Sequence, residues 1–259
     1  MILLKNKVAI VTGGAKGIGE AISRVFYELG ATVHLLDVDE IPGRHVVKDL
    51  SGKALRSFFH VCDVSDHQMV ERTFNSIIKQ SGRLDILVNN AGIAHIGTAE
   101  TTSPEEMDRL YAVNVKSVYN CSHFAIRQMK KNGGGSIVNL SSVAAVTGIA
   151  ERFAYSMSKG AILTMTYSMA KDFIKDGIRC NAVGPARIHT PFVDGYLEKY
   201  FPGNKSEMFE KLSNTQPIGR MGKPEEVAHF IAYLCSAQAG FLTGGFYPID
   251  GGFITLNTG

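Results

Sequence analysis

The feature that most constrains this chain is an end-to-end alternation of short apolar runs with segments of helical period. Val8-Ala9-Ile10-Val11-Thr12, Thr32 to Asp37, Phe58 to Asp63, Ile86-Leu87-Val88-Asn89, Ser136 to Leu140, Arg179 to Val183 and Phe246 to Asp250 all read as strands. Several are apolar throughout rather than alternating, the pattern of strands covered on both faces. Helical periodicity fills the gaps: Ile18, Ala21, Ile22, Val25, Phe26 and Leu29 after the first strand, then Asp66 to about Gln80. A long helix is expected from Pro104 to about Lys131, another from the region of Tyr155 to about Asp176, and a last one from Pro224. Strand–helix–strand units of this kind cross over right-handedly and build a parallel, doubly wound α/β sheet.

With 259 residues, 45% hydrophobic and 20% charged, the chain can bury one large core. No Pro/Gly/Ser linker or internal repeat divides it, so residues 1–259 read as a single domain. The segment from Ala186 to about Gln216 breaks the alternation; polar and aromatic-rich, it reads as a loop serving as a substrate flap.

A net charge of +3 with no extended Lys/Arg cluster does not indicate nucleic-acid binding. No apolar run approaches a membrane span, and the start Met1 to Lys7 is too quickly charged for a signal peptide. Cys62, Cys121, Cys180 and Cys235 are scattered through apolar segments and suggest neither zinc site nor disulfide framework. The eight histidines lack metal-ligand spacing. The expectation is a cytoplasmic protein without a metal, acting on a small molecule.

Gly13-Gly14-Ala15-Lys16-Gly17-Ile18-Gly19 lies where the first strand turns into the first helix. Glycines there permit a tight turn and a close approach by a pyrophosphate, which the helix N-terminus attracts. Asp37 ends the second strand, eighteen residues after Gly19. A carboxylate at that point accepts hydrogen bonds from the adenosine ribose and repels a 2′-phosphate, which favours NAD over NADP. Lys16 is a counter-signal, since a cation in the loop can contact a 2′-phosphate.

Tyr155 and Lys159 stand four residues apart, one helical turn, with Ser142 thirteen positions before the tyrosine. An ammonium beside a phenol favours the phenolate, so the spacing predicts a lowered tyrosine pKa and a proton acceptor. Tyr167 and Lys171 repeat the spacing, but thirteen positions before Tyr167 lies Ala154, without a hydroxyl. Twelve helical residues also rotate Tyr167 by roughly 120° from Tyr155. The second pair reads as a helix-surface contact.

Together these segments resemble the short-chain dehydrogenase/reductase family over nearly the whole chain. The glycines of Thr12 to Gly19, Asp63-Val64, Asn89-Asn90-Ala91-Gly92, and the set Asn114, Ser142, Tyr155 and Lys159 match its motifs in order. The resemblance implies a Rossmann-like seven-stranded sheet in the order 3-2-1-4-5-6-7, and a homotetramer built on two long helices. It implies Tyr155 as base in oxidation and acid in reduction, with Ser142 steadying the substrate oxygen. Lys159 is implied to tune Tyr155 and hold the nicotinamide ribose, and Asn114 to support a proton-relaying water. Gly13, Lys16, Gly17, Ile18, Gly19, Asp37, Asp63, Val64, Asn90, Ala91, Gly92, Tyr155, Lys159, Pro185, Ile188 and Thr190 become the expected cofactor contacts. One departure is Gly184-Pro185, where the family often has Pro-Gly; Pro185 fixes φ and removes an N–H near the nicotinamide.

For the substrate, Arg187 and His189 follow the sixth strand, where the crevice of an open α/β sheet lies. With His95, Ser142, Arg152 and Tyr155, and with Glu151 nearby, they suggest a small polar substrate: a sugar, polyol or sugar acid. The opposing reading has Arg187 in a structural salt bridge and the aromatics Phe192, Tyr196, Tyr200 and Phe201 facing something greasier. Two other functions compete: an NADPH-dependent carbonyl reductase, for example of 3-oxoacyl thioesters, and a non-catalytic nucleotide-binding regulator.

Overall fold

The computed structural model describes residues 4–51 and 56–256, except the side chain of Phe192. Its centre is a seven-stranded sheet in the order β3-β2-β1-β4-β5-β6-β7, formed by β1 (Val8–Thr12), β2 (Thr32–Asp37), β3 (Ser57–Val61), β4 (Ile86–Asn89), β5 (Gly135–Leu140), β6 (Ile178–Pro185) and β7 (Phe246–Ile249). Every neighbouring pair is parallel. The expected architecture and strand order are therefore present.

The physical reason is visible in single strands. In β1, Ala9 and Val11 point to one core and Val8 and Ile10 to the other. In β2, Leu35 and the adjacent Leu36 divide in the same way. Helices α1 (Gly17–Glu28) and α9 (Pro224–Cys235) pack on the first face, α3 (His67–Ser81) and α5 (Ser117–Lys131) on the second. Each fully buried Val, Leu or Ile contributes about 1.5–3 kcal/mol, and neither face can be uncovered without losing many of them. The chain leaves β3 at one edge and returns to β4 beside β1. That reversal opens a crevice at the carboxyl ends of β1 and β4.

Three segments differ from the sequence expectation. The single helix expected from Pro104 to Lys131 is α4 (Pro104–Leu110), a π-helical turn over Tyr111–Lys116, and α5. Local π geometry shifts side chains relative to an α-helix and recurs at functional sites, and this turn carries Asn114. Helix α2 (Glu40–Leu50) was not expected, because it contains Pro42 and Gly43. Pro42 falls in the first turn, where it is tolerated. Gly43 lies against the ring of Phe59, which a Cβ would overlap. The segment expected as a loop holds two helices, α7 (Pro191–Tyr200) and α8 (Lys205–Ser213). Pro191 opens α7, and Leu197 is its one fully buried anchor among the described side chains. The remaining helix, α6 (Phe153–Phe173), carries the Tyr155/Lys159 pair.

Candidate active site

The glycine loop is held from below by a cross-strand lock. Thr12 Oγ1 accepts the backbone N–H groups of Asn90 and Ala91, each at 3.0 Å. Asn90 Nδ2 donates back to the carbonyls of Thr12 (2.9 Å) and Gly13 (3.1 Å). Two turns at the ends of β1 and β4 thus share one hydrogen-bonded seam. Sequence reading placed Asn90 in the site but passed over Thr12, whose only local sign is its position just before Gly13.

The loop fits a dinucleotide. Gly13 has φ +63°, and a Cβ there would stand 2.9 Å from Ala91 Cα. A Cβ at Gly19 would strike the Gly13 carbonyl. Gly17, at φ +56°, faces Thr190 across the cleft, with 3.4 Å between Thr190 Cγ2 and the position a Cβ would take. Lys16 caps α1 without a side-chain hydrogen bond, so the first-turn N–H groups stay available to an anion. Its ammonium instead pairs with Asp39 at 2.8 Å in an exposed bridge. Asp37 is half-buried; it accepts the N–H of Ala15 at 3.0 Å and of Asp39 at 3.1 Å, which ties β2 to the loop. Asp63 accepts the N–H (2.9 Å) and hydroxyl (2.7 Å) of Ser65, beside buried Val64. On the opposite wall Ile188 is buried and bridged to Gly222, and the Pro185 carbonyl accepts from Ser142 at 3.4 Å.

Asn114, Ser142, Tyr155 and Lys159, the residues expected to be catalytic, come from three elements. Buried Asn114 accepts the Ile93 N–H (2.8 Å) and donates to the Ile93 carbonyl (2.9 Å) and to Ser158 Oγ (3.0 Å). Ser158, which sequence reading missed, lies one residue before Lys159 and so joins the π turn to α6. Ser142 follows β5, accepts the Ala144 N–H at 3.1 Å, donates to the Pro185 carbonyl at 3.4 Å, and lies near enough to Tyr155 to lower its pKa. Its neighbour Ser141 is committed elsewhere, donating to the Lys159 carbonyl at 2.9 Å. Lys159 Nζ donates to the Leu140 carbonyl at 2.8 Å. A Cβ at Gly92 would come within 3.2 Å of Asn114 Oδ1 and 3.6 Å of Lys159 Nζ, so this glycine keeps the two turns in close approach.

The electrostatics correct one expectation. Burial raises the Tyr155 pKa above its ordinary value, outweighing the nearby Ser142 hydroxyl and the charge of Arg152, which both lower it. The same burial pulls Lys159 down to about 8. Helix spacing had suggested a lowered phenol; the dry setting of the pair decides the opposite sign. Tyr167, by contrast, is exposed on the outer surface of α6.

The remaining expected substrate residues divide. His95 pairs through Nε2 with Glu106 at 3.0 Å. His189 pairs with Asp194 at 2.8 Å and rests edge-on against Phe209, bracing α7 against α8. Arg152 donates to the Glu151 carbonyl (3.0 Å), and Arg187 to Thr215 Oγ1 (3.1 Å). The salt bridge considered for Arg187 is absent among the described residues. Tyr196 packs on Tyr200 and Phe201, and the side chain of Phe192 lies outside the described residues. No group of His, Cys, Asp and Glu suited to a metal occurs among the described residues, and no helix among them is long and apolar enough to cross a membrane.

Comparison with known proteins agrees with this geometry. Residues 13–254 match the family model described as enoyl-(acyl carrier protein) reductase. An uncharacterized oxidoreductase of Thermotoga maritima is 41% identical over 96% of this chain and 97% of its own. The structure of L-sorbose reductase from Gluconobacter frateurii, complexed with NADPH and L-sorbose, superimposes with a TM-score of 0.94 at 29% identity over 99% of both chains. That of 3-ketoacyl-(acyl-carrier-protein) reductase from Brucella melitensis, complexed with NADH, gives 0.87 at 33% identity over 96% of this chain and 99% of that one. With its strand order, glycine loop and Ser–Tyr–Lys set, the chain belongs to the short-chain dehydrogenase/reductase family, oxidoreductases acting on CH–OH groups.

Proposed function

We propose that the protein is an NAD-preferring dehydrogenase that interconverts a secondary alcohol and a ketone on a small polar substrate such as a sugar, polyol or sugar acid. The observation that carries the reading is the Lys159 ammonium held 5.7 Å from the centre of the Tyr155 ring on one side of α6, with Ser142 at the end of β5 in the surroundings of the same tyrosine. A bound nicotinamide supplies or takes the hydride. The chain's own residues manage the proton: Tyr155 accepts it from the substrate hydroxyl in oxidation and returns it in reduction. Ser142 holds the substrate oxygen against the phenol, and Lys159 favours the phenolate while it carries its charge. Asn114, tied to Ile93 and Ser158, fixes the turn beside them and offers a polar anchor for a relayed proton.

The preference for NAD rests on Asp37. Its carboxylate at the end of β2 repels a 2′-phosphate, and the nearby Lys16 ammonium is already neutralised by Asp39. The polar substrate reading rests on Arg152, whose charge acts on Tyr155, and on Arg187, which lies in the field of Arg152. Exposed Tyr111 and Tyr119, along the π turn and α5, support association of subunits into a homotetramer. A cytoplasmic setting is part of the same reading, drawn from four unpaired, buried cysteines. The NADPH-dependent reductase of 3-oxoacyl thioesters is the second reading; likeness to a 3-ketoacyl-(acyl-carrier-protein) reductase supports its substrate and likeness to an NADPH-bound reductase its cofactor. Titration with NADH and NADPH, followed by an NAD-reduction screen over sugars, polyols, hydroxy acids and steroids, separates the two. Clearly tighter NADPH binding would overturn the Asp37 argument.

A further inference from the structure

Two guanidiniums on the segments that border the candidate site, Arg152 and Arg187, have no carboxylate partner among the described residues. Arg152 precedes α6 and lies one turn before Tyr155. Arg187 lies two residues beyond Pro185, whose carbonyl accepts from Ser142. Ser142, bonded to Pro185 and within the surroundings of Tyr155, therefore lies between the two segments that carry the arginines. Among the described residues, the ion-paired arginines are Arg24, Arg44, Arg83 and Arg220, all elsewhere. Each guanidinium has five N–H donors. Arg152 uses one on the Glu151 carbonyl, and Arg187 one on Thr215 Oγ1.

Both arginines are partly buried. Burial lowers the pKa of Arg187, and the charge of Arg152 lowers it further, so each lies in the other's field. Like charges held on neighbouring segments leave room for an anion between them. The backbone also holds this arrangement under strain. Glu151 has φ 56°, one of two non-glycine residues in the left-handed region among those described. Its carbonyl accepts both the Gly97 N–H at 2.9 Å and the Arg152 guanidinium. A side chain set by a strained residue beside a reactive group points to function.

We infer that Arg152 and Arg187 form a receptor for an oxyanion carried by the substrate itself, a carboxylate or a phosphate attached near the carbon that is oxidised. The planar forks suit either group. Arg187 is bonded to Thr215, just past α8, which fixes one end of the receptor to that helix. This rests on the dehydrogenase reading and narrows its substrate class from polar to anionic.

The test uses the full-length enzyme with matched pairs: 3-hydroxybutyrate and its amide, D-gluconate and its amide, sorbitol 6-phosphate and sorbitol. The anionic member of at least one pair should have a kcat/KM at least about 10²-fold above its neutral partner, mostly through KM. Which pair responds separates carboxylate from phosphate. The ratio should fall at least about tenfold in Arg152→Gln and in Arg187→Gln, and less in Arg187→Lys, which keeps the charge and loses the fork. NADH fluorescence titration establishes that each variant folds. Equal or better use of the neutral partners in every pair, or a ratio that survives both Gln substitutions, overturns the receptor. Turnover of neutral alcohols alone overturns only the receptor. Silence of every alcohol with both NAD and NADP removes the dehydrogenase reading and the receptor with it.

Discussion

The Lys159 ammonium stands 5.7 Å from the centre of the Tyr155 ring, while its nearest hydrogen-bond acceptor is the carbonyl of Leu140 at the end of β5. The lysine is thus anchored to the sheet and presents its charge to the tyrosine at fixed range. Both groups are shielded from water, which makes each harder to ionise than in solution.

Tyr155→Phe removes the hydroxyl proposed to exchange the proton with the substrate. The variant should fold, bind NADH and lose at least about 10²-fold in kcat. Tyr167→Phe, an exposed change, should leave kcat within about twofold. Steady-state kinetics of the two variants measure the contrast, and near-normal turnover by Tyr155→Phe would refute the assignment.

The lysine sets a pH dependence. With Tyr155 held above its ordinary pKa, the phenol remains protonated for reduction well past neutrality. Lys159 loses its charge near pH 8. In the reductive direction kcat/KM for NADH, which reports the free enzyme, should be level below pH 8 and fall above it. A profile flat to pH 10 would contradict this.

Stability follows the same ionisation with the opposite trend. In the unfolded chain Lys has a pKa of about 10.4. Below pH 8 both states are protonated and the cost of burying the ammonium is fully present. Between pH 8 and about 10.4 the unfolded state binds more protons, so this group's contribution becomes steadily less destabilising. Lys159→Met removes the buried charge, and its urea midpoint relative to the parent should be highest at pH 7.5 and decline toward pH 9.5.

Asp37→Ser removes the charge at the end of β2 and keeps an acceptor for the Ala15 N–H. Repulsion of a 2′-phosphate then disappears, and the NADP-to-NAD ratio of kcat/KM should rise by at least about tenfold. An unchanged ratio would show that another group sets the preference.

Gly19→Ala places a methyl against the Gly13 carbonyl and the Asn90 amide. Relief requires moving the Thr12–Asn90 seam. Urea unfolding should report a loss of about 1–3 kcal/mol, and NADH titration a markedly weaker complex. Wild-type affinity in a folded variant would show that the loop does not touch the cofactor.

Much of the architecture is legible in the chain itself, because its determinants are local. Apolar runs such as Ile86 to Val88 have no polar face to expose, so they enter a sheet covered on both sides. Glycine spacing from Gly13 to Gly19 requires a turn between strand and helix, and Tyr155 and Lys159 share a helix side through the α-helical period. Other properties depend on residues far apart in sequence. Thr12 meets Asn90 across 78 positions. The π turn at Tyr111–Lys116 carries Asn114, whose side chain is bonded to Ile93 and Ser158, partners that no helical periodicity reveals. Helices α7 and α8 were hidden because their exposed faces are polar and aromatic, leaving only Leu197 and Ser213 buried among their described residues. The sequence by itself determined the layers, the glycine turn after β1 and the shared helix side of Tyr155 and Lys159. Only the tertiary structure decided the sign of the Tyr155 shift and set Arg187 in the field of Arg152, because burial and charge compensation belong to the surroundings of a group and not to its place in the chain.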